Sequence, residues 1–346
     1  MKRISILIPV YNEELFIKSF ISTLLNQDIF ENIHEILFID GNSNDNTRDF
    51  LKKIIKKYRN IKLLINPCKT VPYALNAGIK NSAGDIIIRL DAHAEYPTNY
   101  ISTLVYYLDK LNADNVGASA ITVPSNKSKR ARAIAISMSS IFGVGNATFR
   151  LDHFNNKEYI EVDTVPFGCY RREVFERIGL FDEQLTRNQD NEFNERLRKA
   201  GGKIYLIPSL KIKYYARESY SKLYRMFFQY GYFGPLVDLK LKRPTRLRRY
   251  IPTLFVLSLI LPLLMMPVDT RFGLVSAISL GLYILASAFF SLYELYRRKN
   301  ISLFPFLAYA YLVSHISYGI GYIAGVWDFL LKKKHLHKKV EVTLSR

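Results

Sequence analysis

Residues 86–97 read Ile86-Ile87-Ile88-Arg89-Leu90-Asp91-Ala92-His93-Ala94-Glu95-Tyr96-Pro97. An apolar run passes here into an acid, a small residue and an imidazole. Branched aliphatic runs of this kind suit strands covered on both faces, the strands of a parallel sheet flanked by helices. Open α/β sheets bind ligands at the carboxyl ends of such strands. Asp91 and His93 stand at that end and are candidates for holding something charged.

The flanking sequence extends the same reading. Residues 4–10, 35–39, 62–65 and 85–90 read as strands, with helical patterns over 13–25, 46–58 and 73–81 between them. That βαβαβ rhythm predicts an α/β fold with a mostly parallel, doubly covered sheet. The loops after its strands carry unusual chemistry. Pro9-Val10-Tyr11-Asn12-Glu13-Glu14 follows the first strand and Asp40-Gly41-Asn42-Ser43-Asn44-Asp45-Asn46-Thr47 the second. Asn42 to Thr47 read mainly as turn and cap residues, whereas Asp40 ends an apolar strand, a position suited to a ribose or a base edge.

The chain has 346 residues, enough for two domains, and a formal charge of +19 from 49 Lys+Arg against 30 Asp+Glu. Such an excess draws polyanions. Much of it lies beside long apolar stretches, which favours lipid headgroups, and no aromatic-interleaved basic cluster or zinc-finger spacing supports nucleic acid as a partner. Cys68 and Cys169, far apart and outside any CxxC pattern, imply neither a disulfide framework nor a thiolate metal site. The N-terminal apolar run is too short for a signal-peptide core, so the first domain is expected in the cytoplasm. With no GxGxxG after the first strand, a nicotinamide dehydrogenase is disfavoured.

Further on, Phe193 and Leu197 are four apart on a helix that Gly201-Gly202 would stop, placing Asp190 in its first turn near the positive helix end. From Ser219 the character changes. Tyr220, Leu223, Tyr224, Phe227 and Phe228 fall on one helical stripe, followed by Lys240, Lys242, Arg243, Arg246, Arg248 and Arg249. We read this as an amphipathic helix lying along a bilayer surface. Three apolar stretches follow at 251–267, 272–293 and 301–327, each compatible with a hydrocarbon core of about 30 Å. Positive charge before 251, at Arg297-Arg298-Lys299 and at Lys332-Lys333-Lys334 cannot all face inward across three crossings. A re-entrant or broken last stretch, permitted by Pro305, Gly319, Gly321 and Gly325, would resolve this, as would one violation of the rule. The expected organisation is a catalytic domain over 1–215, an interface segment over 216–250, a membrane region over 251–331 and a basic tail over 332–346.

Asp40, Asp91 with His93, and Asp190 each sit at a strand end or helix start. Two ligands at i and i+2 can hold a divalent cation against a diphosphate, and a separate carboxylate can take a proton from an attacking hydroxyl. The motifs at 9–13, 38–47, 74–78 and 83–93 resemble, in order, those of glycosyltransferase family 2, inverting enzymes of the GT-A fold, over about residues 4–208. Residues 142–146 and 162–172, with the apolar C-terminal segments, are most similar to membrane-bound transferases of the succinoglycan type, which extend polyprenyl-diphosphate-linked saccharides in exopolysaccharide assembly.

The resemblance implies a hexosyltransferase in the plasma (inner) membrane, multi-pass, with its catalytic domain cytoplasmic. It implies Pro9, Tyr11, Glu13, Asp40, Asn76, Arg89 and Asp91 on the nucleotide-sugar side, with Asp40 reading the base. Asp91 and His93 stand where the family has its metal-binding Asp-x-Asp, histidine favouring Mn²⁺ over Mg²⁺. Asp190 matches the catalytic base; Gln189 replaces a preceding acid, which leaves Glu192 as a second candidate. Phe167, Gly168 and Tyr170 would line the acceptor side. Arg225 and residues 229–232 lie where processive relatives carry Gln-x-x-Arg-Trp, but the Arg-Trp is lacking, so one sugar is expected per encounter. The implied partners are a UDP-sugar, a polyprenyl-linked saccharide and membrane lipid. Rival readings are sugar transfer to polyprenyl phosphate itself and a noncatalytic basic membrane scaffold.

Overall fold

The computed structural model describes residues 2–145, 147–151, 156–244 and 247–336. Asn146, Arg246, the side chain of Arg248 and the tail beyond 336, all used in the sequence reading, lie outside the described residues. The strands are β1 (Ile4–Val10), β2 (Glu35–Asp40), β3 (Ile61–Ile65), β4 (Ile86–Arg89), β5 (Ala94–Glu95), β6 (Asn115–Val123), β7 (Ile160–Glu161), β8 (Cys169–Arg171) and β9 (Ile204–Tyr215). The helices run α1 (Glu14–Leu25), α2 (Thr47–Ile55), α3 (Val71–Lys80), α4 (Tyr100–Lys110), α5 (Lys129–Ser137), α6 (Ile141–Val144), α7 (Arg172–Ile178), α8 (Gln189–Lys199), α9 (Tyr220–Tyr232), α10 (Gly234–Leu241), α11 (Tyr250–Met265), α12 (Phe272–Arg297) and α13 (Phe304–Gly325). Two compact units result: Met1–Ile121 with Leu151–Tyr214, and Thr122–Arg150 with Tyr215–Arg346.

The first unit is built on the sheet β3-β2-β1-β4-β8-β6-β9-β5, with β7 also pairing β9. β1 pairs in parallel with β2 and β4, and β2 with β3, which is the half the βαβ rhythm predicts. Beyond β4 the sheet turns antiparallel, through β4–β8, β6–β8, β5–β9 and β7–β9, so it is mixed as a whole. Antiparallel neighbours need no crossover helix, so this half leaves no βαβ signature to read. β2 and β4 are buried along their whole length, and α1 covers the sheet with Ile17, Phe20, Ile21 and Leu24, the spacing of one helical stripe. Register aligns the ligand edge: Val10 pairs Asp40, and Leu7 pairs Arg89. The loops after β1, β2 and β4 therefore emerge on one rim.

In the second unit, α5 starts at a Ser128 cap and buries Ala133 and Ile136 with Leu295, Leu303, Leu307 and Tyr311. This apolar cluster is why 122–150, expected in the catalytic stretch 1–215, groups with the C-terminal helices. α9 packs on α13, burying Leu223 and Phe227 of the aromatic stripe together with Met226 and Tyr232, while Tyr224 of the stripe stays exposed. Of the alternatives left open for the last stretch, a break is not what forms: α13 is continuous from Phe304 to Gly325 and passes into a π-helical turn over Val326–Leu331. Its glycines serve close packing. A Cβ on Gly321 would lie 2.2 Å from the Phe228 carbonyl oxygen, and one on Gly231 2.1 Å from that of Tyr318. Two stretches among the described residues, Phe272–Arg297 and Ile301–Leu331, are long and apolar enough to cross a membrane. The first expected span, α11, has 16 residues with Pro262 inside it, and at about 1.5 Å per residue it covers about 24 Å.

A substitution follows from this packing. Gly321→Leu drives a side chain into backbone and destabilises the helical unit by about 3 kcal/mol, whereas Gly281→Leu, with nothing within 4 Å of its Cβ position, is neutral. Thermal unfolding in detergent distinguishes the pair, and equal melting temperatures would contradict the α9–α13 contact.

Candidate active site

The rim begins as a clasp between two loops. Ser43 Oγ accepts from Asn12 N at 3.0 Å, Asn12 Oδ1 accepts from Asn44 N at 3.0 Å, and Thr47 Oγ1 accepts from Glu13 N at 2.8 Å. Asp45 and Glu14 add reciprocal bonds from Glu14 N and the Asn46 side chain. Asn12 and Asn42 occupy the left-handed region, φ 53° and 63°, which asparagine tolerates. The polar run after β2 thus closes onto the loop after β1 in addition to starting α2.

Asp40 is fully buried. Its carboxylate accepts from Arg48 Nε at 2.8 Å, from Ser43 N at 3.1 Å and from Ser43 Oγ at 2.5 Å. A buried carboxylate requires such partners, so the oxygens of Asp40, expected to read the base, hold the loop after β2 through Ser43 and Arg48. Asn76 is buried as well, and its amide donates to Phe181 O and Glu183 Oε1 while its oxygen accepts from Phe181 N. That amide ties α3 to the loop leading into α8. Tyr11 is part-exposed beneath the Lys69 ammonium, 5.9 Å from the ring centroid, next to the part-exposed Pro9.

At the end of β4 the two ligands expected from sequence do meet. His93 Nε2 lies 3.9 Å from Asp91 Oδ2, and His93 Nδ1 lies 3.6 Å from Glu13 Oε1. The turn is pinned by Tyr96, whose hydroxyl accepts from Asp91 N at 2.8 Å and donates to Asp91 O at 3.2 Å. Two donors each about 2.1 Å from one ion stand no more than about 4.2 Å apart, and the separation of this carboxylate–imidazole pair lies within that bound. Among the described residues no cluster of three or more His, Cys, Asp or Glu forms a self-sufficient metal cage.

Asp190 lies in the first turn of α8, which is preceded by Asn188 at φ 63°. Arg89 Nη1 donates to both of its oxygens, at 2.7 and 2.9 Å. The same guanidinium reaches Asp91 through Nε at 3.1 Å and Nη2 at 3.3 Å. Burial raises the Asp190 carboxyl above the ordinary aspartate range, with the Arg89 charge pulling it back. Glu192, the second candidate base, is more buried, its side chain 6% exposed against 29% for Asp190, and its oxygens accept from Arg196 at 2.8 and 2.9 Å.

Of the three expected acceptor residues, Phe167 sits at φ 49° and lies 5.5 Å from the Arg89 guanidinium, a cation–π contact. Gly168 accepts from Arg89 N at 3.1 Å, and a Cβ there would meet the Tyr170 ring at 2.5 Å. Tyr170 is 2% exposed, its ring edge-on to Phe193 at 5.5 Å, so it supports α8 from the core. Sequence reading missed the two-carboxylate grip of Arg89. A charged residue inside a strand otherwise made of isoleucine was the available signal, since such a charge must find a partner.

Comparison with known proteins gives the family and the fold. The profile of glycosyl transferase family 2 matches residues 5–179. A dolichyl N-acetyl-alpha-D-glucosaminyl phosphate 3-beta-D-2,3-diacetamido-2,3-dideoxy-beta-D-glucuronosyltransferase from Methanococcus voltae is 31% identical over 67% of this chain and 72% of its own length. The succinoglycan biosynthesis protein ExoA of Rhizobium meliloti is 26% identical over 94% of this chain and 95% of its own. A mannosyltransferase from Pyrobaculum calidifontis, solved with GDP-Man and Mn²⁺, superposes with a TM-score of 0.58 at 16% identity, covering 94% of this chain and 88% of that one, a likeness of fold.

Proposed function

The chain belongs to glycosyl transferase family 2 and is a glycosyltransferase of the GT-A fold, and from that premise we propose that it moves a sugar from a UDP-sugar to a hydroxyl of a polyprenyl-linked saccharide with inversion. The observation that carries this reading is the convergence of Asp91 and Asp190 on one guanidinium. Asp91 and Asp190, 99 residues apart in sequence, stand within one side chain of each other, which supports reading the first as a donor-side acid and the second as the proton acceptor.

In this mechanism Asp190 accepts the proton of the acceptor hydroxyl, whose oxygen forms a bond to the anomeric carbon as the bond to the diphosphate breaks. An α-linked donor gives a β-linked product. Asp91 and His93 would hold a divalent cation, which when bound neutralises the diphosphate and eases its departure. The clasped loops around Pro9, Tyr11 and Glu13 frame the nucleotide, and Asp40 keeps that frame rigid. Phe167 and the Gly168 backbone line the acceptor approach.

The acceptor class is supported by the Methanococcus relative, whose name specifies a lipid-linked sugar phosphate as its acceptor. Membrane association is supported by the two apolar helical stretches. A plasma-membrane location with the catalytic unit in the cytoplasm matches where nucleotide sugars and lipid-linked intermediates meet. Screening UDP- and GDP-sugars with detergent-solubilised protein tests the proposal, using a polyprenyl-diphosphate saccharide and polyprenyl phosphate as alternative acceptors. Transfer to polyprenyl phosphate alone would favour the rival acceptor, and no nucleotide release with any donor would overturn the reading.

A pH dependence follows. Asp190 works only when ionised, and its folded pKa is raised, so protonation disables it as pH falls through a value above the usual aspartate range of about 4. The charged and titratable groups facing it are Arg89 and Asp91 at the β4 end and Tyr170 on β8. Transfer is expected to fall on the acid side, with a midpoint above about 4, and Asp190 causes no loss on the alkaline side. A profile of kcat/KM for acceptor that stays flat down to pH 4 would contradict this.

A further inference from the structure

We propose that Arg89 is a positioning residue that links the donor side of the site to the base: one guanidinium holds Asp190 and restrains Asp91 at the same time. The inference rests on the transferase reading and deepens it. It also departs from the expectation that Arg89 binds the nucleotide sugar.

Three observations carry it. First, the guanidinium is buried and its fork is divided between two acids, Nη1 on both Asp190 oxygens and Nε with Nη2 on Asp91. Second, the two halves are unequal. The Asp190 contacts are 2.7 and 2.9 Å, whereas those to Asp91 are 3.1 and 3.3 Å. Third, the longest contact falls on Asp91 Oδ2, the oxygen nearest His93 Nε2. A cation held by Asp91 and His93 therefore competes with the weakest of the four Arg89 contacts and leaves the grip on Asp190 in place.

Phe167 beneath the guanidinium and the Gly168 carbonyl accepting from Arg89 N restrain the side chain and its backbone. The fork is fixed in position, so a change in charge at Asp91 is felt at Asp190 through a rigid connector. Arginine suits this role because its planar fork presents several donors at once, which a lysine cannot do. Two consequences follow. Arg89 opposes cation binding at Asp91 by like-charge repulsion, and it supports catalysis by aligning Asp190. Its removal should move binding and turnover in opposite directions.

The experiment uses the full chain in detergent, as wild type, Arg89→Met and Arg89→Lys, with thermal melting to confirm folding. Mn²⁺ alone, followed by electron paramagnetic resonance, is the binding probe; sugar transfer is measured separately. Arg89→Met is expected to bind Mn²⁺ at least about threefold more tightly, because a nearby positive charge is gone. Its kcat should fall by about a hundredfold, with donor KM little changed. Arg89→Lys should return Mn²⁺ affinity toward wild type while recovering only part of kcat. Weaker Mn²⁺ binding together with a raised donor KM would make Arg89 a donor ligand and overturn the proposal. Unchanged kcat in Arg89→Met would overturn it too, as would a variant that fails to fold while Arg89→Lys folds with wild-type kcat. Absence of transfer by the wild type refutes the transferase reading itself, an outcome separate from any difference between variants.

Discussion

Asp190→Asn is expected to lower kcat for sugar transfer by about a thousandfold or more while leaving the nucleotide dissociation constant within about threefold of wild type. The substitution keeps the size of the side chain and one oxygen for Arg89, so the α8 start should hold its position. What it removes is the ability to accept a proton. Glu192 is not expected to substitute, since its side chain is 6% exposed against 29% for Asp190. Binding of UDP by calorimetry beside single-turnover transfer separates the two effects. Joint loss of binding and turnover would move Asp190 from the acceptor side to the donor side.

The second large effect is expected at Asp91. Asp91→Asn should reduce transfer by about a hundredfold or more and abolish its response to added Mn²⁺, because a neutral amide is a poor ligand for a hard cation. The backbone of the turn should survive, since Tyr96 binds the Asp91 amide and carbonyl and not its side chain. His93→Ala should cost less, about tenfold, and remain responsive to higher Mn²⁺. A titration of rate against Mn²⁺ for the three proteins reads the difference. Wild-type metal response in Asp91→Asn would move the cation elsewhere.

Much of the site was legible in the sequence because its residues obey local rules. An acid at the end of a buried strand and an acid in the first turn of a helix are positions with a physical meaning, and the structure brings Asp91, His93 and Asp190 to one rim. Tyr11 and Glu13 likewise belong to a loop that emerges there, and Pro9 to the end of the strand that leads into it. Asn76 and Tyr170 were less legible. Both are buried, and a carboxamide that braces a loop 105 residues away looks, in sequence, the same as one that meets a ligand. Asp40 shows the same difficulty, because the Arg48 that neutralises it is a surface helix residue by pattern.

The helical unit gives the complementary lesson. Apolar length marked the segments that could cross a membrane, and the aromatic stripe of α9 marked a helix with one covered face. Neither could say what does the covering. The glycines of α13 read as breaks until Phe228 and Tyr232 of α9 are seen against them.

Strand and helix identity, the parallel half of the sheet and the acids at its rim were determined by sequence alone, since burial periodicity and end-of-element chemistry act over a few residues. Tertiary structure decided the antiparallel half, the assignment of 122–150 to the helical unit and the sharing of Arg89 between two carboxylates. These depend on which distant surfaces meet, and a buried charge or an apolar face specifies that it must have a partner without specifying which one.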